Sequence, residues 1–176
     1  MKYFVGYIIE GEAVDYYKTL GEDLSKRFGV KNISLTKPLH MTFKAPFESD
    51  DIKPFDKRLR ELAQREAIPF VLNKFGRFGD YDLTIYLAPA GNEILQKNVD
   101  EIANAIYEFG DKRLPTHLPI RLHASIARYL SPELAKKVWE YLETLPAPHF
   151  ELSFNNIALF IHSEDRWSVE SRYPFK

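Results

Sequence analysis

Two short segments carry residue types able to move protons on a phosphate. "PLHMTFK" places His40 two residues before Thr42, and "RLHASIA" places His123 two residues before Ser125, eighty-three positions later. Both segments alternate polar and apolar residues as a half-buried strand does. In a strand, residues i and i+2 share a face. His40, Thr42 and Lys44 therefore project together, opposite Met41 and Phe43, while Arg121, His123 and Ser125 oppose Leu122, Ala124 and Ile126. Each row offers an imidazole, a hydroxyl and a cation. If the rows face one another across a groove, one neutral imidazole takes a proton while a protonated partner gives one. The hydroxyls would hold the oxygens between them. Such a set suits in-line displacement at a phosphodiester, which needs a base on the entering oxygen, an acid on the leaving oxygen and donors for the non-bridging oxygens.

The elements that must position these rows follow from periodicity. "MKYFVGYIIE" reads as a first strand, too short for a membrane span. Residues 12–29 carry Val14, Tyr17, Leu20 and Leu24 at helical spacing and stop at Gly29. Residues 50–67 form a second amphipathic helix, with Pro54 leaving its start open. Strands are expected at 69–78 and 82–88, a third helix within 92–109, and a loop, "GDKRLPTHLP", before the second histidine strand. A helix within 131–145, N-capped by Ser131 with Pro132 at its first position, precedes strands at 149–161 and 166–175. The order of strand, helix, histidine strand, helix, strand is thus run through twice. "AIPFVLNKFGRF" resembles "APHFELSFNNIALF", with Phe70/Phe150 and Leu72/Leu152 in register, so a duplication is expected. A single domain is predicted over residues 1–176, made of two pseudo-symmetric lobes approximated by halves 1–79 and 80–176.

Composition bounds the partners. Lys and Arg number 24 against 25 Asp and Glu, and the net charge of -1 argues against electrostatic coating of long nucleic acid. The absence of cysteine removes thiolate catalysis, disulfides and Cys-ligated metal sites together. Zinc held by His40, His123 and a third histidine is the competing enzyme reading. It lacks H-x-x-x-H or H-E-x-x-H spacing, and the i+2 partners are hydroxyls, which are poor zinc ligands. A binding module without catalysis is a third reading. His117 and His149 read as solvated bystanders, and His162 as a strand-end surface residue. Tyr129, Trp167 and Phe47 are aromatic candidates for stacking a base.

"PLHMTFKAPFE" and "LHASIAR" together resemble the paired H-x-[ST]-hydrophobic motifs of the 2H phosphoesterase superfamily, the LigT-like or 2′-5′ RNA ligase-like proteins. The resemblance extends over nearly the whole chain. It implies an α+β, duplicated, two-lobed fold with antiparallel sheets facing a central groove and helices outside. It also implies metal-independent chemistry on 2′,3′-cyclic or 2′-5′ phosphodiesters of RNA ends or small nucleotides, with no cofactor. By motif match His40 and His123 are the catalytic pair, and Thr42 and Ser125 bind phosphate. Lys44, Arg121, Arg128 and Tyr129 are candidate substrate contacts. Arg128 lies five residues after His123, where members of that superfamily often carry Arg. Odd spacing sends it to the opposite face unless the strand ends first. The residues leave acid and base open; as a working choice, His123 activates water and His40 protonates the leaving oxygen. A cytoplasmic monomer is expected.

Overall fold

The computed structural model describes residues 1–176 except 32, 34–36, 82 and 108–117, so the expected role of His117 lies outside the described residues. Twelve elements follow one another among them: β1 (Lys2–Ile8), α1 (Glu12–Phe28), β2 (His40–Glu48), α2 (Lys53–Leu62), β3 (Ile68–Phe78), β4 (Leu83–Pro89), α3 (Glu93–Ala105), β5 (Ala124–Leu130), α4 (Pro132–Leu142), β6 (Phe150–Phe154), β7 (Asn156–Ser163) and β8 (Arg166–Pro174). Helix α1 buries Ala13, Tyr17, Leu20 and Leu24, and ends where Gly29 adopts φ 66° and donates its N–H to the Ser25 carbonyl. Ser131 caps α4 as expected, its hydroxyl accepting from the Leu134 N–H at 3.3 Å, with Pro132 in the first turn. Asn92 caps α3 in the same way, accepting from Leu95 at 3.0 Å.

The strands form two four-stranded sheets, ordered β2-β1-β7-β8 and β5-β4-β3-β6, with every pair antiparallel. The architecture is α+β and two-lobed. The lobes do not part at residue 79, however: β3 joins the second sheet, and β7 and β8 return to the first. The run expected as one strand over 149–161 is two strands in different sheets, parted at Asn155. Asn156 secures the crossing. Its fully buried amide accepts from the Ile8 N–H at 3.1 Å and donates to the Ile8 carbonyl at 3.1 Å, pairing both main-chain groups at the end of β1.

One apolar core runs through both sheets and all four helices, with Leu24, Leu59, Ile102 and Val138 from the helices meeting Met41, Leu72, Leu87 and Leu159 from the strands. A smaller cluster of Phe4, Ile8, Ala158 and Phe160, with Trp167 against it, lies apart from that core. It supports the wall on which His40 sits. Among the described residues no helix is long and apolar enough to cross a membrane.

Candidate functional site

His40 opens β2, and His123 stands immediately before β5; these are the edge strands at which the two sheets meet. Between them lies a cleft of about 290 Å³ lined by His40, Thr42, His123, Ser125, Lys37 and Arg128, among others. The structure therefore brings together all four residues expected to carry the chemistry.

Both imidazoles are held alike. His40 Nδ1 lies 2.8 Å from the Pro38 carbonyl and His123 Nδ1 lies 2.6 Å from the Arg121 carbonyl, each two residues upstream. A carbonyl only accepts, so Nδ1 carries the proton in both rings and each neutral ring keeps its Nε2 lone pair. Aromatic neighbours fix the planes. His40 stands 5.1 Å from both Phe4 and Phe160, and His123 stands 5.0 Å from Phe78 and 5.3 Å from Tyr86. Burial pushes the His40 pKa down to about 4 from an ordinary 6.5, with smaller contributions from Lys37, His123 and Arg128 against its bond to Pro38. His123 is lowered for the same reason, burial first, with Arg128 and Arg121 adding to it. Both shifts favour neutral rings, and a bound anion would raise both values.

His40 thus leaves a mark on stability. As the pH falls from 6.5 to about 4, the unfolded chain binds a proton at this ring that the folded chain refuses. The folded state is therefore favoured above that window and weakens through it, by roughly 3 kcal/mol from this residue. Urea midpoints measured across the window should fall more for the wild type than for His40→Asn, which has no ring to titrate.

A backbone irregularity decides which further residues reach the cleft. Gly6 pairs with Thr42 and the next partner of β1, Val5, pairs with Lys44, so Phe43 is an extra residue in β2. In the second sheet Tyr86 pairs with Ser125 and Ile85 with Ala127, making Ile126 the extra residue in β5. The two bulges stand at the same distance from their histidines. A bulge reverses the alternation beyond it. Lys44 is accordingly carried to the core side, 6% exposed, with Nζ donating to the Tyr107 carbonyl at 3.5 Å and lying over the Phe47 ring. It does not line the cleft. Arg128 does, because the bulge returns it to the side of Ser125 although the strand runs on to Leu130.

The other expected contacts divide. Arg121 does not line the cleft; its guanidinium lies 5.5 Å over Phe78, while its carbonyl orients His123. Tyr129 is exposed, with φ 56°, and is covered by the Arg128 guanidinium at 5.0 Å rather than lining the cleft. Of the aromatic candidates, Trp167 lines the cleft and Phe47 is buried in the core. His149 is exposed, and the His162 ring lies tilted against Trp167 at 5.0 Å. Lys37, whose pKa burial lowers, lines the cleft and was not anticipated from the sequence. Two cations line the cleft and no carboxylate among the described residues does, so the site favours an anion. Among the described residues no group of three or more His, Asp or Glu is placed to hold a metal ion.

A second unanticipated feature lies behind His123. Asp100 Oδ1 of α3 accepts the Ile120 N–H at 2.8 Å, and Gln96 Nε2 donates to the Ile120 carbonyl at 2.9 Å and to Asp100 at 3.0 Å. This clamp fixes the peptide next to the Arg121 carbonyl that orients the imidazole. Asp100→Ala should lower turnover about tenfold with KM little changed, Asp100→Asn recovering part of it, because misplacement of one reacting group is costly. Steady-state rates across pH would check this, since a loosened imidazole also moves the profile.

A family model described as the 2′-5′ RNA ligase superfamily matches residues 18–166, a span that includes both histidine motifs. A protein of Geobacillus sp. (strain WCH70), named as a candidate phosphoesterase, is 32% identical over 136 residues, covering 75% of this chain and 75% of that protein. Among solved structures, TT0787 of Thermus thermophilus matches with a TM-score of 0.67 at 16% identity, over 99% of this chain and 98% of that one. E. coli LigT complexed with 3′-AMP matches with a TM-score of 0.64 at 15% identity, over 99% of this chain and 97% of that one. At these identities the structures bear on the fold, and the family rests on the sequence match: the chain belongs to the 2′-5′ RNA ligase superfamily of 2H phosphoesterases.

Proposed function

We propose that the protein is a metal-independent phosphoesterase acting on 2′,3′-cyclic or 2′-5′ phosphodiesters of RNA ends or small nucleotides. The observation that carries this reading is the matched pair of imidazoles, each tied by Nδ1 to a carbonyl and keeping Nε2 for chemistry, in a cleft whose charged side chains are cations. LigT, which shares the fold, is known in complex with 3′-AMP, consistent with a nucleotide-sized phosphate ligand.

The burial difference supports His40 as base and His123 as acid, the reverse of the working choice from sequence. His40 is the more strongly depressed ring and stays neutral, so its Nε2 accepts the proton of the attacking water. His123, less withdrawn from solvent and holding a 2.6 Å bond to a carbonyl, is the ring that takes up a proton from solvent when a phosphodiester anion binds beside it. Its proton goes to the leaving ribose oxygen as the P–O bond breaks and the P–O bond to water forms. Thr42 and Ser125 hydroxyls donate to the non-bridging oxygens, and Arg128 and Lys37 hold their charge.

The test is direct. Purified protein is incubated with 2′,3′-cyclic nucleotides, 2′-5′ dinucleotides and cyclic-phosphate RNA ends, with and without chelator, and the position of each product phosphate is read by NMR. Chelator-resistant ring opening or 2′-5′ cleavage is expected. Activity lost to chelator and restored by zinc, or no turnover of any of these substrates, would overturn the reading.

A further inference from the structure

The two lobes repeat one another closely enough that their differences stand out. Gly6, opposite Thr42, corresponds to Tyr86, opposite Ser125. Two residues further along β1 and β4 stand Ile8 and Ala88. Ile8 is stapled by the buried amide of Asn156, whereas Ala88 pairs with Lys74. Upstream of the histidines, Pro38 in the first lobe corresponds to Arg121 in the second, since each supplies the carbonyl for its imidazole. The position closed by an amide and the position held by proline in one lobe are thus both cationic in the other.

These cations line a groove of about 650 Å³ between β4, the start of α3 and the segment before His123. The groove and the cleft lie side by side along one face of β3. Lys74, Gly76 and Phe78 alternate onto that face, with Lys74 in the groove and Phe78 in the cleft wall. Between them Gly76 leaves room for the Tyr86 ring, which a Cβ there would meet at 2.4 Å. Tyr86 lines the groove and stands 5.3 Å from His123. The Arg121 guanidinium, over Phe78, lies where groove and cleft adjoin. Neither Lys74 nor Arg121 has an ion-pair partner among the described residues. One carboxylate, Glu93, also lines the groove, on the side of α3.

We propose that this groove is a second phosphate subsite, in which Lys74 and Arg121 hold the neighbouring phosphodiester of an oligonucleotide whose terminal phosphate sits in the cleft. The inference rests on the phosphoesterase reading for the cleft's occupant, and makes the preferred substrate an RNA end rather than a free mononucleotide. A cleft of about 290 Å³ accommodates roughly one nucleotide, so a longer strand must leave it by an edge. The cationic edge past His123 is the one that matches a strand's charge, and Tyr86 offers a ring for the adjoining base.

Binding tests this independently of turnover. Fluorescent tetraribonucleotides ending in a 3′-phosphate, the corresponding 3′-mononucleotide and a nucleoside 5′-diphosphate are titrated against wild type and Lys74→Ala/Arg121→Ala, at several salt concentrations. The wild type should bind the tetranucleotide at least tenfold more tightly than the mononucleotide. The double variant should lose that ratio, and its slope of log affinity against log salt should be shallower by about 0.7, the value for one single-strand phosphate. Circular dichroism checks that the variant is folded, and Lys74→Glu, which keeps Arg121, should reduce the ratio as well. Equal binding of the two lengths by wild type, or a double variant that keeps the ratio, would overturn the subsite. A gain confined to the diphosphate would overturn its assignment to an oligonucleotide. Failure of the catalytic reading would show instead as absence of turnover with the length ratio intact.

Discussion

His40→Asn and His123→Asn should each lower kcat/KM on the best substrate by about 10²–10⁴-fold, the range supplied by a positioned acid or base. Asparagine is the informative replacement because its side-chain N–H₂ can still donate to the Pro38 or Arg121 carbonyl, as the imidazole Nδ1 does at 2.8 and 2.6 Å. What it lacks is Nε2, so folding survives while proton transfer does not. His40→Ala is a harsher test, since it also empties the place beside the stacked rings of Phe4 and Phe160. The double Asn variant should be little worse than either single one, because base and acid act on one displacement. The single variants should differ in pH dependence. With His40 as base, His40→Asn abolishes the acidic limb of the profile and His123→Asn the basic limb; the opposite pattern would restore the reverse assignment. Full activity in either folded variant would remove the ring from the mechanism.

Period-two alternation made the chemical rows legible. Leu39, Met41 and Phe43 are buried as the pattern requires, which leaves His40 and Thr42 no direction but the cleft. Repetition of the motif at equivalent places of a duplicated order pointed to two sheets meeting. The bulges were not legible, because Phe43 and Ile126 are ordinary strand residues and nothing in them announces an extra position. That single hidden feature accounts for both the misplaced Lys44 and the unresolved Arg128. The crossing at Asn155 was hidden differently. "HFELSFNNIALFI" keeps strand-like residues on both sides of its two asparagines, and only tertiary pairing shows that Asn156 stitches a new sheet to Ile8. Lys37 and the Asp100–Gln96 clamp reach the site through chain folding and belong to no local pattern, so no periodicity could have found them.

Thr42→Val and Ser125→Ala should each cost roughly ten- to a hundredfold in kcat/KM, since a hydrogen bond to a charged phosphate oxygen is worth about 1.5–3 kcal/mol. Valine preserves the shape of threonine, and both hydroxyl residues precede their bulges, so neither change disturbs the backbone that aims the histidines. Two companions separate the rows from the strand that carries them. Met41→Leu, in the core at 2% exposure, swaps similar volumes and should leave the rate within about threefold. Lys44→Met tests the bulge itself. Regular alternation would place this lysine beside Thr42, where its loss would weaken phosphate binding. The bulged strand puts its Nζ against Tyr107 and Phe47 instead, so an apolar replacement of similar length should spare activity. Arg128→Met, at the corresponding side of the second bulge, should cost activity because the cleft loses one of its two cations. If Lys44→Met were as damaging as Arg128→Met, the alternation would be unbroken and the cleft would be lined by a different face of β2. If both hydroxyl variants were silent, phosphate would sit elsewhere, and the recurrence of "HMT" and "HAS" would belong to the folding of the two edge strands rather than to catalysis.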